Sequence, residues 1–123
     1  MAAKRILLLA DDAHLAGTLL FVLQGAGYIV DLALTVAQAE RRLSDQRYGL
    51  VVADWRLPDG DGAAFADRAA DLGAKTAVLT GYVLQMPGER AGRHQVWMKP
   101  MRPSELVAAV ERCIGKPGLP PAN

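Results

Sequence analysis

The stretch GLVVADWRLPDGDG, residues 49–62, sets a short unbroken apolar run against a burst of acid. Residues 50–53 are apolar at every position rather than at alternate ones, the pattern of a strand buried on both faces of a parallel sheet. The run ends at Asp54 and Trp55, and the DGDG after Pro58 has the composition of a turn. A carboxylate closing a buried strand loses hydration unless a cation or hydrogen-bond donors meet it there. Asp61 is placed to cap a helix beginning near Gly62, and Asp59 belongs to the turn. Of the three acids, Asp54 is therefore the one left for chemistry.

Runs of the same kind lie on either side. RILLLA (5–10), YIVDLA (28–33), LVVADW (50–55), AKTAVLT (74–80) and QVWM (95–98) read as short strands. Between them apolar residues fall at helical spacing: Leu15, Leu19, Val22, Leu23 and Ala26, then Val36, Ala39 and Leu43. Phe65, Ala66, Ala69 and Leu72 form a third stripe, and Leu106, Val110, Cys113 and Ile114 a last one. Thr35 is an N-cap with Gln38 as its capping-box partner, Pro103 stands near a helix start, and Gly73 and Gly115 are stops. Strands alternating with helices imply a parallel sheet covered on both faces, because right-handed crossovers lay helices over it. The expected fold is α/β, flavodoxin-like and three-layered. Its five-stranded parallel sheet has the order 2-1-3-4-5, residues 1–116 form the domain, and 117–123 form a flexible proline-rich tail. The interval 81–97, GYVLQMPGERAGRHQVW, should hold the fourth helix, but Pro87, Gly88 and Gly92 interrupt it. That helix is expected to be short, displaced or disordered.

With 123 residues, 51% of them hydrophobic and 22% charged, the chain has the balance of one globular domain rather than a disordered segment. A formal net charge of +1 gives no global basic field to recommend nucleic acid or an anionic membrane as partner. Cys113 is the only cysteine, so no internal disulfide forms, and no Cys/His cluster has zinc spacing. The apolar residues 6–10 run straight into two aspartates and are too few for a signal core. A reducing cytoplasm is the expected location, without membrane insertion.

In doubly wound sheets ligands bind beyond the carboxyl ends of the strands. Asp11 and Asp12 follow the first strand, Asp54 ends the third, Thr80 ends the fourth, and Lys99 with Pro100 follows the fifth. Carboxylates drawn together raise one another's pKa unless a hard cation or a lysine neutralises them, and Mg2+, content with a few oxygens and several waters, fits. Lys99 and the Thr80 hydroxyl complete what binds a tetrahedral phosphoryl group, and one carboxylate can act as nucleophile. Each residue also has a plainer reading. Asp11 and Asp12 are candidate helix N-caps, Lys99 a solvated surface lysine, and Thr80 an ordinary strand-end threonine. Cys113, on an apolar stripe, reads as core, and His14 and His94, without ligand partners at metal spacing, read as surface residues.

DD at 11–12, DWRLPDGDG at 54–62, Thr80 and KPMRPSEL at 99–106 together resemble the receiver domain of bacterial two-component response regulators, over nearly the whole chain. The resemblance implies that Asp54 accepts a phosphoryl group from a histidine kinase or phosphotransfer protein. It implies Mg2+ held by Asp12, by Asp11 mostly through water, by Asp54 and by the backbone carbonyl of Arg56. Lys99 would pair with the phosphoryl oxygens, and Thr80 would hydrogen-bond to them and move on activation. Departures from the family pattern cluster. The usual aromatic three positions before the lysine is Val96, with Trp97 next to it, and Met101 stands where phenylalanine or leucine often follows Lys-Pro. LTGY at 79–82 is similar to the Thr-Gly-Tyr part of a motif in some single-domain alphaproteobacterial regulators, a subset that includes members without a regular fourth helix.

No output segment is expected after the last helix. The expected function is that of a single-domain response regulator in a phosphorelay, signalling by docking to a downstream protein that the sequence does not identify. It is expected to be a signalling domain rather than an enzyme, with no direct nucleic-acid partner. Arg56 and Tyr82, flanking the site, are expected to slow loss of the phosphoryl group. Two rivals are a receiver-like interaction module not switched by phosphorylation and a small Mg2+-dependent phosphohydrolase. A flavodoxin is disfavoured, because ADDAHLAG after the first strand would repel a flavin phosphate.

Overall fold

The computed structural model describes residues 4–57, 59–80, 94–98 and 101–116. In chain order the elements are β1 (Arg5–Leu9), α1 (Ala13–Gly25), β2 (Ile29–Ala33), α2 (Val36–Asp45), β3 (Leu50–Asp54), β4 (Arg56–Leu57), β5 (Gly60–Asp61), α3 (Gly62–Asp71), β6 (Lys75–Thr80), β7 (Gln95–Met98) and α4 (Pro103–Ile114). The five longer strands form one parallel sheet in the order β2-β1-β3-β6-β7, which is the expected 2-1-3-4-5 arrangement of a flavodoxin-like fold.

The alternation of side chains across each strand splits the core in two. On one face Ile6, Leu8, Leu50 and Val52 pack with Leu19 and Leu23 of α1 and Leu106, Ala109 and Val110 of α4. On the other, Leu7, Leu9, Val51 and Ala53 pack with Ala39 of α2 and Phe65 and Ala69 of α3. Helices thus cover both faces, as the unbroken apolar runs require.

Caps explain the helix ends. Thr35 accepts the Gln38 N–H, as expected, but the Gln38 side chain accepts from Leu34 at 2.9 Å rather than from Thr35. Asp61 accepts from Ala63 and Ala64 and caps α3, and Glu105 accepts the Arg102 N–H before α4. Gly73 at φ 97° and Gly115 at φ 80° take up the left-handed backbone that follows α3 and α4. The end of α4 is further tied to the sheet: Lys4 donates to the Ile114 carbonyl and the Tyr28 hydroxyl to that of Gly115.

Four features differ from the sequence reading or were absent from it. Leu72 is not part of the buried stripe; as the C-cap just past α3 it is 66% exposed. The antiparallel ribbon β4–β5 is too short for a periodic signal. His94 is buried: its Nδ1 lies 2.5 Å from Thr76 Oγ1 and its Nε2 2.7 Å from Asp67 Oδ1, pinning β6 and the start of β7 to α3. Tyr48 and Arg5 both donate to the Asp31 carboxylate, at 2.6 and 3.1 Å, around the middle of β2. The expectations for a broken fourth helix and for the tail at 117–123 fall outside the described residues. No helix among those described is long and apolar enough to cross a membrane.

Candidate functional site

Asp54 is the last residue of β3, in the middle of the sheet, and is 1% exposed. Register determines its neighbours. Leu9 of β1 pairs with Ala53, so Asp11 and Asp12 leave β1 beside the end of β3. Leu79 of β6 pairs with Asp54, so Thr80, itself 4% exposed, ends the strand on the other side. Three adjacent parallel strands thus bring Asp11, Asp12, Asp54 and Thr80 to one sheet edge. Lys99 lies outside the described residues, as do Pro100 and Tyr82.

Asp11 and Asp12 are exposed. Asp12 also does what its plainer reading foresaw: its carbonyl accepts from Ala16 and its Oδ1 accepts the His14 N–H at 3.0 Å, so it caps α1. Arg56 begins β4 and pairs with Asp61 of β5, and Leu57 pairs with Gly60. The base of this ribbon is closed at the end of β3, with the Gly62 N–H donating to the Trp55 carbonyl at 2.7 Å. A Cβ at Gly62 would lie 1.8 Å from the Asp54 carbonyl oxygen, which is why no larger residue fits there.

Asp59 has a role that its sequence position hides. Its Oδ1 accepts the Val36 N–H at 2.8 Å and its Oδ2 the Ala37 N–H at 3.2 Å, so it caps α2, a helix that precedes it in the chain. Those bonds, Val36 first, hold its carboxyl below the ordinary carboxylate range. The turn composition around Asp59 was legible, but its partner is set by the packing of α2 against the ribbon.

The donor set fits a hard cation. Two carboxylates on one strand end, a third on the next and a main-chain carbonyl one residue beyond Trp55 are all oxygen ligands of the type Mg2+ accepts while keeping several waters. Among the described residues no three His, Cys, Asp or Glu side chains are gathered into a ready-made cage. The fit is thus to an open, water-rich site.

A family model described as "Response regulator receiver domain" matches residues 6–111. The chain belongs to this family. It is a receiver domain of the two-component response-regulator type. The receiver protein CpdR of Brucella abortus is 33% identical over 116 residues, covering 90% of this chain and 97% of that protein. The DNA-binding response regulator MtrA of Mycolicibacterium paratuberculosis is 33% identical over 124 residues, but the chain spans only 55% of its length. Among solved structures, the response regulator TrrA of Thermotoga maritima in complex with Mg2+ and beryllofluoride superposes with a TM-score of 0.76 at 26% identity, over 89% of this chain and 98% of that one.

Proposed function

We propose that this receiver accepts a phosphoryl group on Asp54 from a histidine kinase or a histidine phosphotransfer protein and passes the signal on by docking to another protein. The observation that carries the reading is a carboxylate 1% exposed at the end of the central strand, with a pair of carboxylates on the neighbouring strand end. A buried carboxylate is costly unless charge or donors meet it; as an acceptor it is held in place by the sheet and shielded from water. In the transfer an Asp54 oxygen bonds to phosphorus as the phosphorus–nitrogen bond of phosphohistidine breaks, and the imidazole leaves. Mg2+ would be held by Asp11, Asp12, Asp54 and the Arg56 carbonyl, and when bound it neutralises charge on the transferring oxygens. Thr80 and Lys99 would hydrogen-bond to the phosphoryl group. These donors bind and orient it, and no step asks them to move a proton.

Helix α1 offers a docking surface. Helix α1 starts directly after Asp12, has no Asp, Glu, Lys or Arg in AHLAGTLLFVLQG, and leaves Phe21 77% exposed. A helix without charge and with an exposed aromatic suits contact with another protein better than with water. We assign the chain to signalling rather than enzymatic turnover, in the cytoplasm, where histidine kinases present their phosphohistidine.

Incubation with acetyl phosphate or phosphoramidate and Mg2+ should add about 80 Da to the wild type and nothing to Asp54→Asn. Absence of the added mass in the wild type overturns the reading. Turnover of a generic phosphomonoester would favour the phosphohydrolase instead.

A further inference from the structure

We propose that Asp59 is a positioning residue for the Mg2+ site: by tying the tip of the β4–β5 ribbon to α2, it holds the Arg56 carbonyl beside Asp54. This rests on the phosphoacceptor reading above. The ribbon has strands of two residues each, Arg56–Leu57 and Gly60–Asp61, and so small a hairpin has little stability of its own. Its position must come from what it is fastened to. At the base there are two fastenings, the Gly62 N–H on the Trp55 carbonyl and the Asp61 cap on Ala63 at 2.7 Å. The first closes the base across the ribbon, from the Trp55 carbonyl next to Arg56 to the start of α3, and the second acts on the β5 side alone; neither reaches the tip.

At the tip, Asp59 spans the first two amides of α2, Val36 and Ala37. Helix α2 already has its own cap, since Thr35 accepts the Gln38 N–H at 3.1 Å, so Asp59 adds to it a link to the ribbon. The contact is close: a Cβ built at Gly60 would meet Val36 Cγ2 at 3.0 Å. Helix α2 is in turn anchored to the sheet through Ala39, which is fully buried beside Leu7 and Leu9. The backbone that offers a ligand at Arg56 is therefore clamped between Asp54 at one end and α2 at the other. Outer partners of this kind set how well a metal ligand is oriented.

Two variants separate this tie from the bare charge of Asp59, which would also attract a cation. Asp59→Ala removes both. Val36→Pro removes one donor of the tie and leaves every charge in place; proline is favoured at the first position of a helix, and Thr35 before it already has the extended φ of −138° and ψ of 159° that a following proline needs. Mg2+ binding, measured by calorimetry on the unphosphorylated protein, should weaken about tenfold in both variants, the lower end of what outer partners of metal ligands contribute. In the wild type, Mg2+ should also slow amide exchange at Val36 and Ala37, because coupling is reciprocal. Weakening in Asp59→Ala alone makes charge the cause and overturns the proposal, as does unchanged affinity in both. A wild type that binds no Mg2+ overturns the site reading itself, and the proposal with it.

Discussion

Gly62→Ala tests how tightly β3 and α3 are fitted together. The added methyl would lie 1.8 Å from the Asp54 carbonyl oxygen and 2.7 Å from the Asp54 carbonyl carbon. An ordinary carbon–oxygen contact is about 3.3 Å, so the two backbones must part by about 1.5 Å. Asp54 has no room to yield, because it is paired with Leu79 and the next amide, Trp55, donates to the Leu79 carbonyl at 2.9 Å. The start of α3 must move instead, which strains the Gly62 bond to the Trp55 carbonyl and the Asp61 cap. A backbone hydrogen bond and an N-cap contribute about 1 kcal/mol each, against which alanine returns at most about 1 kcal/mol of helix propensity. Adding the overpacking itself gives a net loss of about 2–3 kcal/mol, or roughly 10 °C in Tm. Gly17→Ala is the matched control: nothing lies within 4 Å of a Cβ there, and the residue is inside α1, so this variant should gain about 0.5–1 kcal/mol. Equilibrium urea unfolding measures both. A Gly62→Ala protein as stable as the wild type would refute the packing argument.

Other predictions follow from groups away from Asp54. His94→Ala should lose about 2–4 kcal/mol in urea unfolding, because it leaves the buried Thr76 hydroxyl without its imidazole partner and opens a cavity between α3 and β6; a loss below about 0.5 kcal/mol would refute the pinning role. Burial pushes the Asp31 carboxyl up, but the hydrogen bonds from Tyr48 and Arg5 outweigh it and hold it below its ordinary value. A depressed folded pKa stabilises the fold above the unfolded value of about 3.9, and that contribution is lost as pH falls through the folded value. Asp31→Asn should therefore be about 1 kcal/mol less stable than wild type at pH 7, with the difference shrinking below about pH 4. A gap that does not change between pH 7 and pH 3 would contradict this.

The strands, their order and the strand-end acids were readable because each rests on local chemistry: unbroken branched runs for β1, β3 and β6, and a carboxylate or hydroxyl where each run stops. The caps at Thr35 and Asp61 and the stops at Gly73 and Gly115 are local too, and the structure has them where the sequence put them. What was not readable depends on contacts across the fold. Asp59 looks like any turn acid until α2 is folded against it, 23 residues away in sequence. His94 reads as a surface histidine because its partners, Asp67 and Thr76, are separated from it by 27 and 18 residues. Leu72 falls on the helical stripe, yet the helix has ended at Asp71, and as its C-cap Leu72 is exposed.

The same reasoning bears on how a change at Asp54 could reach the rest of the molecule. In β7 successive side chains face opposite ways. Val96, paired with Val78, packs with Ala63 and Ala66 on the α3 side, the side to which strand alternation also assigns Thr80. Trp97, paired with Leu79 and 6% exposed, is held on the other face among Leu106 and Ala109 of α4. Turning the indole to the Thr80 side would mean slipping the strand by one residue, which moves every side chain of β7 to the wrong face. Trp97 therefore does not stand in for an aromatic at position 96, and on the Thr80 side β7 presents Val96 and Met98, the register partner of Thr80. The ribbon differs in this respect. It begins at Arg56, two residues after Asp54, and is tied to the first turn of α2, so a change in geometry at Asp54 or Arg56 has a route through covalent chain and the two Asp59 hydrogen bonds that requires no side-chain rotation.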